Sequence, residues 1–199
     1  MDRFVKFCRR IWHRRGIGGI MLAAVVALSL PAFEARAAQQ TFSQNEILQA
    51  AENFFGVATK GLAKVIQKVF DDLGDPNAFI TGEEVSGAFI IGLRYGRGNL
   101  NLKGKPAREV FWQGPSIGFD FGGNASKVFV LVYKLSSADD LFRRYPGVDG
   151  SFYFVAGAGV NYQSDGAVTL APIRTGVGFR IGASLGYLHY TREASWFPL

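Results

Sequence analysis

The chain has 199 residues, a formal net charge of +6 and one cysteine among 48% hydrophobic residues. That length holds one domain with a core of its own. A single cysteine excludes an internal disulfide framework and any cysteine-based metal site.

The basic charge is concentrated at the start. Arg3, Lys6, Arg9, Arg10, Arg14 and Arg15 precede an uncharged apolar run of 14 residues, Ile17 to Leu30, which Pro31 ends. Ala35 and Ala37 then place small residues where a signal peptidase reads. This is the three-part layout of a secretory signal, with cleavage expected between Ala37 and Ala38. The run is short for a membrane-spanning helix, which needs about 20 residues. Residues 1–37 take seven of the 22 basic and two of the 16 acidic residues, leaving 15 and 14. The mature chain is therefore close to neutral and argues against nucleic acid as a partner, because that affinity rests on a basic surface. Cys8 leaves with the signal. The expected product is a periplasmic single domain, residues 38–199, with no integral membrane span.

A helix is predicted next, over about 43–73. Ser43 and Glu46 form a capping-box pair, flanked by Phe42 and Ile47 at the staple positions. Apolar residues recur in threes and fours from Ile47 through Phe54, Leu62, Val65 and Val69 to Leu73, which keeps one face apolar. Gly56 and Gly61 interrupt the pattern and mark a bend or a close contact. Gly74 and Pro76 end it. Lys60, Lys64 and Lys68 are spaced by four and line one edge of this helix. That edge is a candidate surface contact for anionic headgroups, but a solvated edge whose lysine stems cover the core is the favoured reading.

From Phe79 onward the period becomes two. Phe89, Ile91, Leu93 and Tyr95 alternate, followed by Ile117, Phe119 and Phe121, Val128 to Leu135, Phe152 to Tyr162, Ala167 to Leu170, Thr175 to Ala183 and Leu185 to Tyr190. Breakers such as Lys103-Gly104-Lys105-Pro106 and Ser164-Asp165-Gly166 separate these runs. Ser137 to Tyr145 reads as a short helix with a serine cap. Alternating glycines at Gly157 and Gly159 and at Gly176 and Gly178 imply a sharply curved sheet. The fold expected is mainly β: a small antiparallel β-barrel, with one long N-terminal amphipathic helix packed on it and one short helix. Helix and bulky strand faces are expected to share one core.

One motif suggests chemistry. Gly114-Pro115-Ser116-Ile117-Gly118 spells the G-x-S-x-G nucleophile elbow, and His189 follows late in the chain. An elbow needs a strand, a sharp turn and a helix; here Ile117, Phe119 and Phe121 continue as a strand. Asp139, Asp140, Asp149 and Asp165, the candidate acids, fall in loops or the short helix. Gly176-Val177-Gly178-Phe179-Arg180-Ile181-Gly182 has the wrong spacing for a dinucleotide loop. One mature histidine and scattered carboxylates offer no transition-metal set. No catalytic, cofactor-binding or metal-binding residue is assigned from the sequence, and no enzyme activity is expected.

The runs "GPSIGFDFGGNASKVFVLVYKL", "DDLFRRYPGVDGSFYFVAGAGVNYQ" and "LAPIRTGVGFRIGASLGYLHY" resemble the alphaproteobacterial envelope integrity protein A (EipA) family, over roughly Gly82 to Tyr190. The resemblance implies a compact periplasmic β-barrel that supports envelope integrity under stress without catalysis, with no cofactor. Its partner would be an envelope component: lipid, peptidoglycan or protein. A more distant likeness is to the lipid-binding SYLF domain. It lies in the helical start, in Gly92-Leu93-Arg94-Tyr95-Gly96-Arg97-Gly98, in Ser116-Ile117-Gly118-Phe119 and in Gly176-Val177-Gly178-Phe179. That likeness implies lipid or membrane-surface binding as the second reading.

Overall fold

The capping box at Ser43 forms as the spacing dictates. The Ser43 N–H donates to Glu46 Oε2 (2.8 Å) and the Glu46 N–H to Ser43 Oγ (3.4 Å), opening helix α1, Gln44–Phe55. The computed structural model describes residues 40–120, 126–175 and 186–195, including all of their side chains but those of 86–92 and 116–120. Gln39–Leu199 is one compact unit. The expected signal segment, with Ala37 and Ala38, lies outside the described residues.

The single helix expected over 43–73 is two helices. Gly56 takes a left-handed conformation (φ 75°), and its N–H donates to Glu52 O (2.8 Å), which closes α1. Thr59 then caps a second helix, α2, Lys60–Leu73, by accepting from the Leu62 N–H (3.1 Å). Glycine reaches that left-handed cap without a Cβ penalty. The apolar period runs straight across the break, so periodicity alone does not reveal it. Gly61 has the other role. A Cβ there would sit 2.4 Å from Ala156 O, so only glycine lets α2 approach the strands beneath it.

Nine antiparallel strands follow among the described residues: β1 Ala78–Leu102, β2 Arg108–Asp120, β3 Ser126–Tyr133, β4 Arg144–Pro146, β5 Tyr153–Val155, β6 Ala158–Val160, β7 Gln163–Ser164, β8 Thr169–Thr175 and β9 Tyr187–Thr191. Their order is β4-β9-β2-β1-β3-β8-β6-β5, with β7 also paired to β8. A bridge between Gly147 and Gln163 joins the end of β4 to β7 and draws the two sides of the sheet together. β1 pairs with β3 through Ala78–Glu84 and with β2 through Ala88–Leu100. The Lys103 N–H donates to Asn77 O (3.1 Å), so the two ends of this long strand meet. The sheet is thus curled and barrel-like. The short helix reduces to one 3-10 turn, Ala138–Leu141, with Asp140 accepting from the Ser137 N–H (2.9 Å).

The run Phe152 to Tyr162 is not one strand. Ala156 (φ 45°) and Gly157 (φ 83°) form a two-residue turn between β5 and β6, the pair of positive φ angles that matches the twist of a hairpin. Gly157 therefore serves the turn, not the curvature.

The expectation of one shared core is also corrected. Alternation along β3 sends Val128, Val130 and Val132 into the curl and Phe129, Leu131 and Tyr133 outward. Inside, the valines meet Ile80, Leu100, Val110, Trp112, Leu170, Leu188 and Tyr190. Outside, Phe129 and Leu131 meet Ile47, Ala51, Leu62, Val65, Ile66 and Val69 of the helices. The same strands thus bury both faces, in two cores of different composition. Phe79 stacks on Phe129 at 5.1 Å within the outer core.

Candidate functional site

A charged cluster lies inside the curled sheet. Glu84 shares the inward parity of Ile80 on β1, and Arg174 that of Leu170 on β8. Arg174 Nε donates to Glu84 Oε1 (2.5 Å) and its Nη2 to Oε2 (3.2 Å). This two-point pairing suits the guanidinium fork. Arg94 Nε lies 3.8 Å from the same carboxylate, and the Trp112 Nε1–H donates to it at 3.4 Å. Arg174 Nη1 also donates to Asn161 Oδ1 (3.3 Å). Glu84 and Arg174 are both buried. Burial works to raise the Glu84 pKa, but the charges of Arg174 and Arg94 and the hydrogen bonds overcome it and hold the carboxyl at about 2.

Trp112 explains two glycines beside the cluster. A Cβ on Gly96 would lie 2.0 Å from Trp112 Cε2, and one on Gly82 would lie 2.6 Å from Cη2. The indole therefore rests on bare β1 backbone. Tyr190 packs 5.8 Å from it, and Tyr145 packs edge-on against Tyr190 at 5.7 Å. The Tyr190 hydroxyl is buried without a hydrogen-bond partner among the described residues; burial pushes its pKa up.

Ser116 does not stand on an elbow. It pairs with Gly92 in the middle of the β1–β2 ladder, and β2 continues to Asp120. His189 pairs with Gln113 on one side and Arg144 on the other. Ser116 is three residues along β2 from Gln113, a displacement of about 10 Å at strand rise. Burial, and then the Arg144 charge, lower the His189 pKa. Three of the four candidate acids are engaged elsewhere: Asp139 pairs with Arg108 and Arg192, Asp140 with Arg143 and the Ser137 N–H, and Asp165 with Arg143 and the Ala167 and Val168 N–H groups. Among the described residues no group of three or more His, Cys, Asp or Glu side chains is placed to hold a metal ion.

The lysine edge of α2 is only partly available. Lys68 pairs with Asp72, whose carboxylate also accepts from the Tyr162 hydroxyl (2.5 Å). Lys60 and Lys64 are exposed. No helix among the described residues is long and apolar enough to cross a membrane.

The family model for envelope integrity protein A matches residues 40–199. The chain belongs to the EipA family. A crystal structure of a β-barrel-like, uncharacterised protein from Brucella abortus is similar to it, with 45% identity and a TM-score of 0.74 over 80% of this chain and 99% of that one. None of the curated proteins matches the chain. EipA membership supports a role in envelope integrity. Neither comparison assigns a residue of the Glu84 cluster.

Proposed function

We propose that this EipA-family chain works in the periplasm, after removal of residues 1–37, and supports envelope integrity by binding or scaffolding rather than by catalysis. The family carries the envelope role. The interior supports the non-catalytic part. Trp112, Tyr145, Tyr190, Leu100 and the Glu84–Arg174 pair fill the curl, so contact with a partner falls to the outer surface. The G-x-S-x-G serine lies within a strand that continues to Asp120, so no helix starts directly after it, and that removes the usual means of stabilising an oxyanion at such a serine. Among envelope components a lipid surface suits the exposed faces best.

Fractionation tests this reading. Osmotic shock of cells expressing the chain is expected to release a protein whose intact mass begins at Ala38. Recovery in the cytoplasm, or with Met1 retained, would contradict it.

A further inference from the structure

The helices cover the outer side of β3, β5, β6 and β8 and the start of β1 at Phe79, and among the described residues the outer core takes no residue from β2, β4, β9 or the later part of β1. On that bare side the register builds layers. Leu93 stands opposite Pro115, and Tyr187 opposite Pro146. The next rung is Tyr95, Gln113, His189 and Arg144, and the one after it Arg97, Phe111 and Thr191. Leu93 is 41% exposed. Leu93 and Pro115 thus lie on one side of the Tyr95 and His189 rung, and Arg97 lies beyond it beside Phe111. The β1–β2 ladder continues past Leu93 through the pairs Ile91–Ile117 and Phe89–Phe119.

The arginines of this face differ from the rest. Arg108, Arg143, Arg174 and Arg192 each have a carboxylate within 4 Å. Arg97 and Arg144 are exposed, and neither has such a partner among the described residues. Arg144 lies over the Tyr187 ring at 5.5 Å. The acidic groups nearby on these strands are Glu83 and Glu109, both exposed, and Glu109 stands opposite Asn99.

We propose that the helix-free face of β1, β2, β9 and β4 docks on an anionic phospholipid bilayer. The inference rests on the envelope reading above and names the partner. Leu93 and Pro115 enter the acyl boundary. Tyr95, with an apolar ring and a polar tip, lies at headgroup depth, one rung above Leu93, Pro115 and Tyr187. Arg97 and Arg144, without a carboxylate partner among the described residues, take phosphate oxygens through their guanidinium forks. This assignment differs from the α2 lysine edge, where Lys68 is already paired.

Flotation of the protein recovered from cells tests it, with vesicles of phosphatidylcholine alone or mixed with phosphatidylglycerol. The chain should float with the mixed vesicles only, and less as salt is raised. Arg97→Gln and Arg144→Gln should each weaken binding about fivefold. Leu93→Glu should abolish it while leaving the melting temperature near that of wild type, since Leu93 is already exposed. A Lys60→Gln, Lys64→Gln variant should bind as wild type. Equal flotation with neutral vesicles, no flotation, or indifference to the three substitutions would overturn the proposal. So would a dimer, seen by light scattering, that Leu93→Glu dissociates, because the face would then belong to a second copy. A protein that is periplasmic and does not float loses only this proposal; one that floats and is cytoplasmic loses the envelope reading.

Discussion

Replacing Glu84 by glutamine would leave the Arg174 guanidinium buried without a countercharge. Its Nε and Nη2 donors now meet carboxylate oxygens at 2.5 and 3.2 Å, and Nη1 donates to Asn161 Oδ1. Removing one partner of a buried pair costs about 3–5 kcal/mol, a large share of the ~5–15 kcal/mol that holds a typical domain together. The Glu84→Leu, Arg174→Met pair should cost less than Glu84→Gln alone, since it removes both charges. The pH dependence has a definite sign. The carboxyl sits at about 2 in the folded protein against 4.5 for the free group. Its contribution is complete above 4.5 and is lost as pH falls through about 2. The size from linkage is about 3 kcal/mol. Urea unfolding at neutral pH and at pH 3 would read both effects, with the loss between them smaller in Glu84→Gln. A Glu84→Gln midpoint within about 1 kcal/mol of wild type would refute the claim that the pair is buried and mutually dependent.

Other perturbations probe the packing. Gly96→Ala sets a methyl group against Trp112 at 2.0 Å and should cost about 1–3 kcal/mol, read as a lower melting temperature. Val65→Asp buries an unpaired charge between α2 and the sheet; soluble yield should fall sharply. Asn77 clamps Leu135 from both sides, donating to its carbonyl at 2.6 Å and accepting from its N–H at 3.2 Å. Asn77→Ala removes both of these buried hydrogen bonds and should cost about 1–3 kcal/mol in chemical unfolding.

Much of this architecture is legible in the sequence. The Ser43–Glu46 cap, the stop at Gly74 and the alternation along β3 each follow from local chemistry, and each forms. The breaks that were missed are local too. Gly56 ends α1 because it can turn left-handed, yet the apolar spacing continues through it. Ala156-Gly157 makes a hairpin turn inside a run that alternates like one strand. The two-core arrangement was hidden because one strand face cannot report what covers the other. The Glu84 cluster had a visible signal: a charge at the parity of Ile80 on β1 and another at the parity of Leu170 on β8. That they meet is a matter of strand order, which joins β1 to β8 through β3 across 90 residues of chain.

Complementation tests the central claim most directly. The claim is envelope support by binding, with Ser116 and His189 as strand residues. In a strain lacking the protein, the Ser116→Ala, His189→Gln variant should restore growth under envelope stress as fully as the wild-type chain. Failure of that variant, at normal abundance and with a normal melting temperature, would contradict the account and return G-x-S-x-G to consideration as a catalytic motif.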